Sequence, residues 1–229
     1  NKAEFKISPD PLQTISSSNI GLNLRSKQYS KPFYVLTIPK GGTFLLSKLL
    51  LMLTGKRGIP VWIIFPELNT WKFPNEDPNC LIPKDAIRKS FKAREKLNQF
   101  HIAHLNFAEN FSRYRLKHPE YKKIILIRDL RDVCVSAVYF LSEEIESVIH
   151  SASFDDKLMF IIKQGDIDEQ IIPNGSFWKI RKLAELAVEA IQNSDAVVCR
   201  FENLVGTKGG GTLEAQQDQI TSIANALNI

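Results

Sequence analysis

The stretch TIPKGGT, residues 37–43, decides the fold that we predict, because it joins a strand-like run to an apolar helical run. Residues 32–38, PFYVLTI, are rich in β-branched and aromatic side chains and predict a buried strand, and residues 43–54 predict a helix. Glycines at the turn let backbone N–H groups approach an anion, and the start of the helix adds partial positive charge. Since Lys40 adds a full charge, the turn predicts a site for a phosphate or sulfate group.

The rest of the chain alternates predicted strands with predicted helices. The further strands are expected at 61–65, 101–106, 122–128 and 195–201, and the further helices at 83–99, 130–149 and 212–227. Strands this apolar need cover on both faces, which predicts an α/β fold of three layers with a mostly parallel central sheet flanked by helices. Ligand loops then lie at the carboxyl ends of the strands. The 229 residues and the hydrophobic content of 44% suit one domain spanning 1–229.

A second polar segment follows the predicted strand at 122–128. This segment, RDLRDVCVS at 128–136, begins with an arginine and ends with a serine eight residues later. A guanidinium forms a charge-assisted fork with a phosphate, and a hydroxyl donates one further hydrogen bond. The other interpretation of Arg128 is an ion pair with Asp132, one helical turn away. The anion loop at 37–43 favours the phosphate interpretation.

Together the two segments resemble the cofactor motifs of sulfotransferases that use 3′-phosphoadenosine 5′-phosphosulfate (PAPS). TIPKGGT is similar to the family's 5′-phosphosulfate loop, usually close to TYPKSGTTW, and it differs from the standard nucleotide-triphosphatase loop because Lys40 precedes both glycines. RFENLV at 200–205 resembles the family's Y-E-D-L element, whose tyrosine contacts the adenine. The resemblance implies a P-loop-like fold with these cofactor-binding residues: Lys40, Gly41, Gly42, Thr43, Phe44, Arg128, Ser136 and Phe201.

The segment FHIAHLNF, residues 100–107, resembles the family's strand with the catalytic histidine, K-T-H-L-P. On this resemblance His104 is the general base, and Lys40 stabilises charge on the departing phosphate and on the sulfuryl oxygens. Backbone N–H groups of residues 41–43 and the Thr43 hydroxyl would add donors. The implied reaction is in-line transfer of the sulfuryl group from PAPS to a hydroxyl or amine, which leaves adenosine 3′,5′-bisphosphate (PAP) and requires no metal. The other histidines, His101 among them, are interpreted as core or surface residues.

Several positions depart from the family pattern. Phe44 and Leu45 replace the loop's second threonine and its tryptophan, and Ile102 replaces a lysine two residues before the histidine. The K-G-G-T core also resembles that of Golgi polysaccharide sulfotransferases, in which a glutamate is the base. The chain ends at Ile229 before any copy of the family's Arg-Lys-Gly loop, so we expect that clamp to be absent from this chain or made differently.

Two other functions stay open at this point. A P-loop nucleotide or small-molecule kinase also has a glycine loop after its first strand, although no Gly-Lys-Ser/Thr triplet occurs here. A noncatalytic PAP- or PAPS-binding protein is suggested by the departures from the family pattern. The acceptor is expected to be a small molecule or a carbohydrate, with residues 66–83 as a candidate pocket and 151–177 as a candidate lid. Neither the acceptor's identity nor the oligomeric state follows from the sequence.

The net charge and the cysteine content limit the classes of binding partner and the cellular compartment that we expect for this protein. The 30 basic and 25 acidic residues give a net charge of +5, which suits an anionic cofactor but is too small to imply nucleic acid. The three cysteines are widely spaced and odd in number, which indicates reduced thiols and no metal site. No signal peptide is visible, and the most apolar helix is too short for a membrane span, so we expect a soluble, cytoplasmic protein without an integral membrane segment.

Overall fold

The structure, a computed structural model, describes residues 31–61, 82–105, 108, 119–163, 180–192 and 195–229. The strands are β1 (Phe33–Thr37), β2 (Arg57–Pro60), β3 (Gln99–His104), β4 (Lys122–Ile127) and β5 (Val197–Arg200). The helices are α1 (Thr43–Thr54), α2 (Lys84–Lys96), α3 (Leu130–Phe140), α4 (Ser142–Ile149), α5 (Phe154–Lys163), α6 (Ile180–Gln192), α7 (Phe201–Val205) and α8 (Leu213–Leu227). A 3-10 turn at Gly206–Gly209 links the last two helices.

The five strands form one parallel sheet in the order β2-β3-β1-β4-β5, which confirms the predicted α/β fold. Side chains alternate across β1, so that Tyr34 and Leu36 pack on one face with α2, α3 and α6. Phe33 and Val35 pack on the other face with α1 and α8. The sheet is therefore the middle of three layers, and its strands are apolar on both faces, as parallel strands require.

The order of the strands locates one crevice at the carboxyl edge of the sheet. After β1 the chain runs to β2 on one side, whereas after β4 it runs to β5 on the other side. Where neighbouring strands send their connections in opposite directions, their loops separate and leave a crevice that commonly binds a ligand. In this chain the crevice lies between the loops that follow β1 and β4.

The second strand lies earlier in the chain than the predicted 61–65. It comprises 57–60, Val61 lies beyond its end, and residues 62–65 are outside the described residues. Gly58 belongs to the strand because a Cβ there would lie 2.3 Å from Ile102 Cδ1 and 2.8 Å from Ser47 Oγ. The strand at 57–60 was missed because the apolar run was favoured over a glycine that permits close packing.

The predicted helix at 130–149 is two helices separated at Leu141, where φ is −109° and ψ is 21°. Helix α5 packs against both of them, and its Lys157 reaches α4, with Nζ donating to Glu146 Oε2 at 2.7 Å and to Ser142 Oγ at 2.9 Å. The interruption at Leu141 coincides with the packing of both helices against α5. Among the described helices, none combines the length and the apolar content that crossing a membrane requires.

Candidate functional site

The loop after β1 turns sharply through two left-handed residues. Lys40 has φ 57° and Gly42 has φ 98°. The Gly41 N–H donates to the Ile38 carbonyl oxygen at 2.9 Å, so this amide closes the turn and does not point outward as expected from the sequence. The first bond of α1 runs from the Leu46 N–H to Gly42, so the amides of residues 43–45 have no partner within the helix. These amides and the helix dipole make the start of α1 electropositive.

A phenyl ring covers the second glycine of the loop. A Cβ at Gly42 would lie 2.2 Å from Phe201 Cδ2, so only a glycine leaves room for this ring. Phe201 is the first residue of α7, directly after β5, and was predicted to end the strand. The loops after β1 and β5 therefore meet at this contact.

Arg128 follows β4 and its guanidinium lies against the same ring. Its Nη1 donates to the Lys40 carbonyl oxygen at 2.9 Å, and its Cζ lies 4.3 Å from the Phe201 ring centroid. The alternative partner, Asp132, is more distant, with Oδ2 at 3.8 Å from Nη2, and it is largely exposed. Within the described part of the chain, the buried Nε of Arg128 has no hydrogen-bond partner. The guanidinium thus carries a buried donor whose hydrogen-bond partner is not among the described residues.

The Lys40 side chain adds a second cation to this region. Its Nζ lies 4.2 Å from the centroid of the Phe140 ring, at the end of α3. The pKa of Lys40 is lowered, first by burial and then by the charge of Arg128. Two cations that destabilise each other's charge are both stabilised when an anion binds between or beside them.

Ser136 lies on the same face of α3 as the residues that contact these cations. Asp132, Ser136 and Phe140 follow each other at intervals of four along α3, the spacing of one helix face, and Arg128 lies ahead of the helix. Ser136 is half-buried and lies about 9 Å along the helix from its first residue, farther from the helix start than the sequence interpretation placed it.

His104 is the last residue of β3 and pairs in register with Thr37, the last residue of β1. Thr37 Oγ1 lies 3.0 Å from His104 Nδ1 and 3.0 Å from Thr43 Oγ1. Thr37 is fully buried and His104 is 7% exposed. Burial lowers the pKa of His104 to about 4, although a hydrogen bond with the Thr37 backbone opposes this effect. The ring is therefore neutral at physiological pH.

Thr37 was missed by the sequence analysis. The available signal was its place as the last strand residue before the lysine and glycine turn, where a buried hydroxyl is unusual in an otherwise apolar strand. Spacing along the sequence could not identify His104 as its partner, because Thr37 and His104 are 67 positions apart. Only the pairing of β1 with β3 brings them together.

The other histidine of β3 belongs to the core, in agreement with the sequence interpretation. His101 is buried, its Nε2 lies 2.8 Å from Ser90 Oγ, and its ring is 4.2 Å from that of Phe91. Burial, followed by the charge of Arg94, lowers the pKa of His101 to about 3. This histidine supports the packing of α2 on the sheet.

The structure brings Lys40, Gly42 and Phe201 into contact around Arg128 or its ring partner, and it joins Thr43 to His104 through Thr37. The side chain of Phe44 is 87% exposed on the first turn of α1. Residues 66–81 and 164–177, within the predicted acceptor pocket and lid, lie outside the described residues. In the described ranges, no group of three or more His, Cys, Asp or Glu side chains is arranged to hold a metal ion. Comparison with models of known protein families and with curated proteins finds no match to this chain.

Proposed function

We propose that this protein is a sulfotransferase that moves the sulfuryl group of PAPS to a hydroxyl or amine of an acceptor. The observation that carries the proposal is the contact between two loops at the carboxyl edge of the sheet. Arg128 Nη1 donates to the Lys40 carbonyl oxygen at 2.9 Å, so the loop after β4 contacts the loop after β1 beside the crevice between these strands. A donor with separate 5′- and 3′-anionic groups suits two cations presented by different loops.

The 5′-phosphosulfate is assigned to the start of α1. The amides of residues 43–45 and the Lys40 ammonium would donate to its oxygens, and charge that develops on the departing phosphate would be stabilised there. The 3′-phosphate is assigned to Arg128, which follows β4, and to Ser136 of α3. Phe201 already packs against the guanidinium and Gly42, so an adenine would use the remaining edge of its ring.

His104 is the proposed general base. When the Nδ1–H of the ring is the donor toward Thr37, Nε2 carries the lone pair and is the basic nitrogen. A pKa of about 4 makes the ring neutral but a weak base. The negative charge of a bound donor would raise this pKa, because an anion stabilises an adjacent imidazolium. The proton of the acceptor would then pass to Nε2 as the oxygen or nitrogen attacks sulfur.

The decisive experiment measures transfer of radiolabelled sulfate from PAPS to a panel of phenols, steroids, sugars and amines. We expect transfer by the wild-type chain, and a loss of roughly 100-fold or more in His104→Gln with PAP affinity retained. His150→Asn is the matched control, since His150 is exposed at the end of α4. Normal turnover by His104→Gln would refute the assignment of the base.

Binding measurements separate the proposal from the two other functions. We expect PAP without metal to raise the melting temperature more than ATP with magnesium does. Stabilisation by magnesium ATP alone would favour a P-loop kinase instead. PAP binding without transfer to any acceptor would favour a noncatalytic binding protein.

A further inference from the structure

Helix α2 carries most of the net charge of the chain. Its 13 residues include six basic and two acidic side chains, a net charge of +4, whereas the whole chain has +5. The side chains that pack inward are Ile87, Ser90 and Phe91. The exposed side, which we call the basic face, contains Lys84, Arg88, Lys89, Lys92 and Lys96. This face extends about 18 Å along the helix.

The folding of α2 does not account for this arrangement. Residues four apart on a helix are neighbours, so the cations at 84, 88, 92 and 96 repel one another. Lys84 is also the first residue of the helix, where the helix dipole makes a positive charge unfavourable. Within the basic face only Lys96 lies in the last turn, where the dipole favours a cation. Removing charge from the basic face should therefore leave the stability of α2 unchanged or higher.

The two carboxylates of α2 neutralise little of the basic face. Asp85 Oδ1 lies 3.1 Å from Arg88 Nη2, and both side chains are more than half exposed. Glu95 accepts a hydrogen bond from the hydroxyl of Tyr121, the residue before β4. The four lysines are all exposed, so an anionic partner can reach their ammonium groups.

The composition of the basic face favours a lipid surface as its partner. Four of the five cations are lysines, and a lysine is a compact charge on a flexible stem without the fork that arginine offers to one defined anion. Protein interfaces are enriched in arginine and aromatic residues and depleted in lysine. Along the row from 84 to 96 one cation recurs about every 6 Å, much more sparsely than the charges of duplex nucleic acid, about one per 1.7 Å. Lipids diffuse laterally, so anionic headgroups can gather beneath charges at this spacing.

We propose that the basic face of α2 attaches the protein peripherally to a bilayer that contains anionic lipids. Clusters of basic residues on a helix are attracted to such a surface, and each residue strengthens binding roughly fivefold. The apolar side of α2 packs in the core of the protein, so the contact is electrostatic and the helix does not insert. The inference does not depend on the proposed sulfotransferase activity.

The test is sedimentation of the whole chain with vesicles of equal parts phosphatidylcholine and phosphatidylserine, in the absence of PAP and PAPS. We expect binding at low ionic strength, release at about 1 M salt, and no binding to vesicles of phosphatidylcholine alone. The double variant Lys89→Gln, Lys92→Gln keeps good helix formers and should bind roughly tenfold more weakly or less. Lys89→Arg, Lys92→Arg keeps the charge and should bind like the wild type.

The matched control removes two charges elsewhere. Lys163→Gln, Lys208→Gln changes exposed lysines of α5 and of the 3-10 turn, so binding should stay within about twofold of the wild type. Urea midpoints check that the glutamine variants fold. Equal weakening in the two double variants would mean that net charge alone matters, and it would overturn the assignment to α2.

Competition identifies the class of partner. The proposal is overturned if the wild type does not bind the anionic vesicles at low salt. It is also overturned if polyglutamate or polygalacturonate releases the chain from the vesicles at a lower concentration of charged groups than free anionic vesicles do, since an acidic protein or polysaccharide would then be the better partner. Absence of sulfate transfer would refute the proposed function and would not affect this result.

Discussion

The guanidinium carbon of Arg128 lies 4.3 Å from the centroid of the Phe201 ring, and the same ring covers Gly42. This stack joins the loops that follow β4, β5 and β1 at the carboxyl edge of the sheet. A cation over an aromatic ring is worth about 0.5–2 kcal/mol, more when water is excluded. The three loops are therefore expected to hold one another in place, and a change in one of them is expected to affect the others.

Replacing Arg128 by lysine should weaken PAP binding. A lysine keeps the charge but loses the planar fork that bonds to the Lys40 carbonyl and lies against Phe201. We expect the Kd for PAP, measured by calorimetry, to rise roughly 10- to 100-fold, which corresponds to the loss of one charge-assisted hydrogen bond or two.

Arg131→Lys is the control for that change. Arg131 lies three residues further along, its side chain is 89% exposed, and it pairs with Asp129 at 2.6 Å. Exposed ion pairs contribute little, so PAP affinity should stay within about twofold of the wild type. If PAP affinity in Arg128→Lys also stayed within about twofold of the wild type, a positive charge at position 128 would suffice and the planar fork would contribute nothing to binding.

Gly42→Ala should destabilise the fold. The new methyl group would lie 2.2 Å from the Phe201 ring, and φ at this position is 98°, which side chains rarely adopt. Overpacking and left-handed strain together are expected to lower the free energy of unfolding by about 2–4 kcal/mol in urea titrations. The displaced ring should also weaken PAP binding.

Gly55→Ala distinguishes the effect of left-handed backbone strain from that of steric overlap with a neighbouring side chain. Gly55 also has a positive φ, 68°, but a Cβ there meets nothing within 4 Å. Only the left-handed strain remains, so we expect a loss of about 1 kcal/mol and unchanged PAP affinity. If both alanine variants lowered the free energy of unfolding by the same amount, steric overlap with Phe201 would contribute nothing to the loss at Gly42.

Much of the fold could be predicted because the strands are apolar on both faces. The run at 32–38 contains β1, and the run at 122–128 contains β4, with boundaries within one residue. The site residues Lys40 and Arg128 followed from the polar segments after these strands. Parallel pairing then placed both loops at one edge, as the strand pattern had predicted.

The remaining features depend on contacts between distant parts of the chain. From the sequence alone, a glycine at position 58 suggests a turn. In the structure Gly58 belongs to β2, because the side chains of Ile102 and Ser47 occupy the space that a Cβ would need. The break at Leu141 has no glycine or proline, and it coincides with the packing of α5 against both neighbouring helices. The role of Thr37 depends on the register of β1 with β3.

Acid should destabilise the protein as pH falls from about 6.5 toward 4. Burial lowers the folded-state pKa of His104 to about 4 and that of His101 to about 3, whereas both are near 6.5 when unfolded. Below pH 6.5 the unfolded chain therefore binds more protons, and stability decreases at up to ~1.4 kcal/mol per pH unit for each histidine. Above pH 6.5 the contribution is fully present.

Urea midpoints measured from pH 7.5 to pH 4.5 test this dependence. His104→Gln removes one of the two buried titrating rings, so its stability should fall less steeply with acid than that of the wild type. His150→Asn, at an exposed position, should leave the slope unchanged. If stability fell equally steeply with acid in His104→Gln and in the wild type, His104 would have the same pKa in the folded and unfolded states.

Gln219→Leu should loosen the edge strand that carries Phe201. The buried Gln219 amide completes the hydrogen bonding of β5, since its Oε1 accepts from the Arg200 N–H at 3.2 Å and its Nε2 donates to the Val198 carbonyl at 3.1 Å. Leucine fills a similar volume but leaves both backbone groups unpaired. We expect a loss of about 1–3 kcal/mol in urea titrations, and weaker PAP binding through displacement of Phe201.

Gln217→Leu is the matched control on the same helix, because Gln217 is exposed two residues before Gln219. Its stability should stay within about 0.5 kcal/mol of the wild type. Hydrogen exchange adds a local measurement, because the Arg200 amide should exchange faster in Gln219→Leu while amides of β1 keep their protection. Unchanged protection of Arg200 would mean that β5 is held by the packing of α8 alone. In that case the position of Phe201 would not depend on this amide.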